Sequence, residues 1–271
     1  MKIGVAIRVM GPGSDRATIE RCARIAEGLG LDDVWVSDHL AIAPDEAEGS
    51  GGRYLDPLAT LAFLAGTTER VGLGTAVLNL PYRPPLPTAK WLATIQELSG
   101  ERLLLGVGLG WMESEFQALG VDRRRRGALA DATLEFLGRC FERDRVEAHG
   151  QEFLFLPRPS RPPILVGGGV PHALHRAARY GEGWMPMLRG PETLAGPVEM
   201  LGKLFREAGK PPPEVAVLTG FPRDDPAASG VRVAAFEAAG ATRLIAGFRY
   251  ADAAEFRTHA EAFARAAGRR A

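Results

Sequence analysis

Short apolar runs and longer segments of helical period take turns along the whole chain. The runs KIGVAIRV (2–9), DVWVSDH (33–39), RVGLGTAVL (70–78), RLLLGVGLG (102–110), PPILVGG (162–168), GWMPM (183–187), EVAVLTGF (214–221) and TRLIAGF (242–248) are each bounded by Gly, Pro or charge. Runs of that length and apolarity predict strands buried on both faces. Between them lie stripes of helical spacing: Ile19, Cys22, Ala26 and Leu29; Leu129, Thr133, Phe136, Leu137 and Cys140; Phe256, Ala260, Phe263 and Ala267. The pattern gives eight strands and eight helical segments.

Strict alternation of this kind implies a parallel sheet with right-handed crossovers. Eight repeats in 271 residues favour a closed (β/α)8 TIM barrel, an α/β fold that needs ~250 residues, over an open doubly wound sheet. No linker interrupts the series, so residues 1–271 are read as one domain. Two inserts break the rhythm. LAIAPDEAEGSGGRYL (40–55) follows the second strand, on the side where barrel sites are built. Residues 145–162, with RVEAHGQEFLFL, predict a small hairpin leading into the fifth strand.

Composition narrows the function by exclusion. Lys plus Arg and Asp plus Glu both count 33, so no excess of charge favours nucleic acid or a membrane surface. No run approaches the roughly 18 apolar residues of a membrane span. The N-terminus MKIGVAIRVMGPG meets Gly and Pro too early for a secretory leader. Cys22 and Cys140 sit far apart in helical stripes, as buried reduced thiols do, and the expectation is a cytoplasmic protein. Metal-binding spacings, a serine elbow and a placed nucleophilic cysteine are all missing from the sequence.

The candidate chemistry lies at the predicted strand ends. Gly106, Gly108 and Gly110 alternate along the fourth strand, and Gly167, Gly168 and Gly169 close the fifth. The first set has the wrong spacing and the wrong strand for a dinucleotide fingerprint. Alternate strand residues share a face, so these glycines predict a bare surface for a flat ligand, against a second reading as barrel closure. Asp38 and His39 end the second strand and are the only closely spaced ionisable pair there. A glycine-floored mouth with little charge suits a cofactor that brings its own reactivity.

Several stretches together resemble the luciferase-like monooxygenase superfamily, most closely its branch of probable F420-dependent oxidoreductases. They are VWVSDHL, YLDPLATLAFLAGTT, RVGLGTAVLNLPYRPPLPTAKWLATIQELSGERLLLGVGLGWMESEFQALG, RPPILVGGG and ALHRAARYGEGWMP, over roughly residues 1–190. The resemblance implies a (β/α)8 barrel that binds the deazaflavin F420, or FMN in its place, at the C-terminal mouth. Carried over, Asp38 and His39 face the cofactor ring and are the catalytic candidates. Ala76 and Val77 match a bulged stretch, often with a non-prolyl cis peptide, that supports the ring. Gly108, Gly110 and Trp111 match the strand-four wall, and Gly167 and Gly168, with Gly169 beside them, match the turn on the phosphate-bearing chain. Leu109 stands where luciferases proper place an arginine for the FMN phosphate, which favours F420. Trp111 stands where sugar-phosphate dehydrogenases carry a glutamate.

The resemblance leaves three functions open: hydride transfer between F420 and a small organic substrate, an FMN-dependent monooxygenase using reduced flavin and oxygen, or a cofactor-binding paralogue without turnover. A homodimer, and for FMN chemistry a reductase, are the expected partners. Direct pairing of Asp38 with His39 requires a bend at the strand end. The run Arg123–Arg126 places cations at the positive end of a helix dipole, which a cofactor's anionic tail would relieve. Trp111 and Trp184 fit ring neighbours or barrel packing. Arg249, Tyr250, His149, His172, His175 and His259 are read as loop or helix-surface residues.

Overall fold

The structure is a computed structural model and describes residues 1–47, 49–221 and 226–269. Its elements follow in order as β1 (Lys2–Ala6), α1 (Arg16–Gly28), β2 (Asp33–Val36), α2 (Pro57–Ala65), β3 (Gly72–Asn79), α3 (Pro85–Leu98), β4 (Leu103–Gly108), α4 (Glu113–Ala118) and α5 (Arg126–Glu142). There follow β5 (Arg145–Ala148), β6 (Gln151–Leu154), β7 (Ile164–Gly167), α6 (His172–Tyr180), β8 (Gly183–Met185), α7 (Ala195–Glu207), β9 (Glu214–Gly220), α8 (Pro226–Ala238), β10 (Arg243–Gly247) and α9 (Ala253–Ala266). Eight strands close a parallel barrel in the order β1-β10-β9-β8-β7-β4-β3-β2. This is the (β/α)8 architecture that the alternation predicts. Strands β5 and β6 form the expected antiparallel hairpin outside the barrel.

The helix count differs from the sequence expectation. Nine α-helices occur among the described residues, the extra one being the single short helix α4 that follows β4. The helical stripes do face inward: Ile19, Cys22 and Ala26 on α1, Phe136, Leu137 and Cys140 on α5, and Phe256, Ala260 and Phe263 on α9 are all buried. Burial raises the Cys22 thiol to about 12 and the Cys140 thiol to about 11, as inert core cysteines require. Tyr250 lies in the loop after β10, as expected, and is buried there.

Side chains pack in two concentric layers. Between strands and helices lies the large apolar layer that includes Val5, Val34, Leu105, Val107 and Phe263. Inside the barrel, Trp35, Leu165, Met185, Ala216 and Ile245 fill the lumen. Trp35 claims so much of it that a Cβ on Gly74 would stand 2.2 Å from its ring. Below it, fully buried Arg243 is ion-paired with Asp33 and Glu214, the Glu214 bond being 2.5 Å. The lumen is therefore plugged from below. Only its C-terminal end is open to a ligand.

Candidate active site at the barrel mouth

Asp38 and His39 leave the end of β2 in opposite directions, as adjacent extended residues must. Asp38, 3% exposed, turns toward β3. Its carboxylate takes two parallel bonds from Arg83, 2.5 and 2.8 Å long, and accepts the Asn79 backbone N–H at 2.8 Å. Burial pushes its carboxyl up, against the pull of Arg83 and of that N–H. Two short parallel guanidinium bonds mark charged partners, and we read the pair as ionised. Arg83 also reaches Asp56 at 2.7 Å, the residue whose carboxylate caps α2 by accepting the N–H groups of Leu58 and Ala59. Asn79 completes the brace: its amide donates to the Asp38 carbonyl and accepts the Gly110 N–H, each at 3.0 Å.

His39 does not pair with Asp38. Its Nδ1 lies 2.9 Å from Oε2 of Glu115 on α4. Glu115 is completely buried. It accepts the N–H groups of Leu40 and Ala41 at 2.6 and 3.2 Å and the Tyr82 hydroxyl at 3.0 Å. Burial alone would raise its carboxyl, but the bonds from His39, Leu40 and Ala41 outweigh it and hold the group below the ordinary value. An ionised carboxylate only accepts, so Nδ1 carries the proton and Nε2 is left to face other partners. The Tyr54 ring stands 4.9 Å from the imidazole and the Trp111 ring 6.3 Å, edge-on. The sequence expectation of an Asp38–His39 unit is thus replaced by two units, Asp38–Arg83 and His39–Glu115.

Glu115, Tyr82, Arg83, Asp56 and Tyr54 were not singled out from the sequence. One signal for Glu115 was there. Met112, Glu115, Phe116 and Leu119 fall on one face at helical spacing, and the first three are buried. An acid within an apolar stripe needs a partner. The partners of the others lie on different elements, and spacing gives no access to them.

Strand β3 carries the expected irregularity. The Ala76–Val77 peptide is cis, and the β3–β4 register shifts between Thr75 and Leu78. This bulge decides what the strand-four glycines do, and it corrects the bare-face expectation. A Cβ on Gly106 would meet the Thr75 carbonyl at 2.1 Å, one on Gly108 the Val77 Cγ2 at 2.4 Å, and one on Gly110 the Tyr82 hydroxyl at 2.6 Å. Those positions are empty of side chain because β3 and Tyr82 occupy the space. The closure reading holds for this set. Gly110 additionally has φ +72°, a backbone that glycine adopts without strain.

The open surface lies on the other side. A cavity of about 420 Å³ is lined by Ala76, Val77, Gly167, Gly168 and Gly169, with Trp184, Met185 and Leu218 among its apolar walls. Nothing stands within 4 Å of a Cβ built on Gly169. Trp184 lines this cavity and donates its indole N–H to the Gly168 carbonyl at 3.0 Å, whereas Trp111 is 63% exposed at the rim. So five of the predicted cofactor residues converge on one cavity. Asp38, Gly108 and Gly110 form the frame behind it, and His39 and Trp111 stand on another part of the mouth. The arginine run is a 3-10 turn, Arg123–Arg125, with α5 beginning at Arg126. Arg123 pairs with Glu113 and Arg124 with Asp122, and Arg126 donates to the Gly110 carbonyl at 2.8 Å. Nε of Arg123 stays buried without a hydrogen-bond partner.

Similarity to known proteins fits this geometry. The profile of the family described as luciferase-like monooxygenase matches residues 1–271. An uncharacterized protein of Mycobacterium tuberculosis is 32% identical over 249 residues, spanning 84% of this chain and 83% of its own. An F420-dependent glucose-6-phosphate dehydrogenase of Amycolatopsis mediterranei is 32% identical over 180 residues, 63% of this chain and 53% of its own length. Among solved structures, an F420-dependent secondary alcohol dehydrogenase in complex with an F420–acetone adduct superimposes with TM-score 0.77 over 98% of both chains, at 18% identity. The chain belongs to the luciferase-like monooxygenase family.

Proposed function

We propose that the protein is an F420-dependent oxidoreductase that moves a hydride between the deazaflavin and a small organic substrate. The observation that carries this reading is the His39–Glu115 pair at the mouth of a barrel that also holds an apolar, glycine-lined cavity. The residues present fit a flat ring. Ala76 and Val77 back the cavity, Gly167, Gly168 and Gly169 let a ligand approach the main chain, and Trp184 and Met185 supply apolar walls. When bound, the deazaflavin supplies or accepts the hydride at its ring carbon. The chain's own residues do the rest.

Hydride transfer changes charge on the substrate, so a neighbouring group has to give or take a proton. His39 does this through Nε2, with Nδ1 fixed on Glu115. Glu115 fixes the tautomer and stabilises the imidazolium when it forms, the division of labour seen wherever a carboxylate orients a catalytic histidine. Asp38 lies too deep in its pair with Arg83 to share in the transfer. Its role is to lock the ends of β2, β3 and β4 together. Tyr54, at the end of loop 40–55, and Trp111 flank His39 with their rings. The F420-dependent relative from Amycolatopsis and Leu109, where an arginine would serve FMN phosphate, support the deazaflavin over FMN.

Titration of the apoprotein with F420 and with FMN tests the assignment. F420 is expected to bind more tightly. FMN binding ~10-fold tighter, about 1.4 kcal/mol, overturns the reading in favour of an oxygen-using monooxygenase supplied by a reductase. Tight F420 binding with no turnover on any alcohol, ketone or enone of a broad panel would leave a binding paralogue.

A further inference from the structure

Arg8 lies two residues past the end of β1. Ile7 and Val9 enter the layer beneath the helices, while Ala6 belongs to the lumen and Arg8 continues its face toward the mouth. The residue is anchored at three points. Its backbone N–H donates to the Tyr250 hydroxyl at 2.8 Å, Nη1 donates to the Tyr250 carbonyl at 3.1 Å, and the guanidinium stands 5.9 Å from the centre of that ring. None of these contacts neutralises it. Among the described residues Arg8 makes no ion pair with a carboxylate, whereas Arg83 is closed by Asp38 and Asp56.

The surroundings give that charge a direction. Met10 bridges to Tyr54, which brings the end of loop 40–55 alongside the β1 extension. The Tyr54 ring stands 4.9 Å from His39; burial raises its hydroxyl, with the Arg8 charge acting weakly the other way. Arg8, Tyr54 and His39 thus form one arc on the β1–β2 side of the mouth, while the cavity across from it is walled by Val77, Trp184, Met185 and Leu218. With Nη1 committed to a carbonyl, the Nε and Nη2 edge is the fork that matches two oxygens of one anionic group.

We propose that Arg8 sets substrate specificity: the substrate carries a carboxylate, received by Nε and Nη2 of Arg8, on an otherwise apolar frame whose reacting carbon lies near His39. This rests on the oxidoreductase reading above. A cofactor carries anionic groups too, so the test separates the two sources. Protein loaded with F420, or with FMN if that binds instead, is titrated with two acid–amide pairs, hexanoate with hexanamide and 4-phenylbutyrate with 4-phenylbutanamide, read by cofactor fluorescence. The wild type is expected to prefer at least one acid over its amide by ~10-fold or more, and Arg8→Met to reduce that ratio to about one with cofactor affinity changed less than ~3-fold. Arg8→Lys keeps part of the preference, since the charge stays and the fork is lost.

Equal binding of acid and amide, or binding of neither pair, overturns the proposal. So does a preference that survives Arg8→Met. A ~10-fold loss of cofactor affinity in Arg8→Met assigns the anion to the cofactor and overturns it as well. If the protein takes up neither F420 nor FMN, the oxidoreductase reading fails by itself. Thermal shift of the apoprotein with the same acids and amides then still decides what Arg8 binds. Arg8→Gln replaces Arg8→Met if the latter does not fold.

Discussion

His39 and Glu115 are 76 positions apart in sequence and 2.9 Å apart in the fold. In the proposed reaction this contact is the one that handles the proton. His39→Ala is expected to lower turnover by ~10²–10⁴, the usual worth of positioned acid–base catalysis, with cofactor affinity within a few-fold. Steady-state kinetics and a cofactor titration on one preparation check this, and full activity with an earlier melt would make His39 a packing residue. Glu115→Gln turns one amide N–H₂ toward groups that need an acceptor, at a cost of about 1–3 kcal/mol. It also leaves an acid-stability signature. The Glu115 carboxyl is held below its ordinary value of 4.5, so the folded state takes up that proton less readily than the unfolded chain. The stability it contributes is complete above the ordinary value and is lost as pH falls through the depressed one. Melting curves from pH 6 downward should fall more steeply for wild type than for Glu115→Gln, and parallel curves would count against the contact.

At the scale of elements, the informative comparison is between two glycines. Gly108 faces Val77 across the β3 bulge, and Gly169 faces open cavity. Gly108→Ala must displace Val77 or the bulge. Overpacking of that kind typically costs about 1–3 kcal/mol, so a lower Tm together with weaker cofactor binding is expected. Gly169→Ala meets no atom within 4 Å and should leave the apoprotein's melt unchanged while weakening cofactor binding, because its methyl group enters the ligand's space. The pair is read by differential scanning calorimetry and titration. A stable Gly108→Ala with unaltered binding would show that the strand-four glycines do not shape the site. The insert 40–55 also belongs to this scale. Glu115 holds its start through Leu40 and Ala41, and Leu55 N–H on the Val9 carbonyl holds its end. Those two anchors are what bring Tyr54 to His39.

For the whole molecule, closure of the barrel is the event that makes a site. Strand β1 pairs with β10 on one side and with β2 on the other, and β2 pairs with β3, which brings Arg8, His39 and Val77 to one rim. Buried Arg243 and Asp33, with half-buried Glu214, at the opposite end belong to that closure. Arg243→Met leaves two carboxylates without their cation, and breaking a buried pair in this way costs about 3–5 kcal/mol. At ~2–4 °C per kcal/mol for a chain of this size, Tm should fall by roughly 10 °C. Cofactor affinity measured well below the melt should not move. A large change in affinity with an unchanged Tm would place this cluster in the functional site instead.

The sequence by itself determined the repeat and its consequences. Eight apolar runs alternating with helical stripes imply a parallel sheet, and eight repeats in this length favour a closed barrel over an open doubly wound one. Barrel strands expose chemistry at their C-terminal ends, so Asp38, His39, Val77 and Gly167 to Gly169 were legible as mouth residues. The cis peptide at Ala76–Val77 was legible only through resemblance. Tertiary structure alone decided the partners. Which carboxylate meets His39, whether Gly108 faces a ligand or Val77, and whether Arg123 is paired depend on contacts between elements far apart in the chain. Periodicity reports which face of an element is buried, because it depends on the repeat of one helix or strand. It carries no information on what is buried against that face, and a charge-bearing site is made of such pairings.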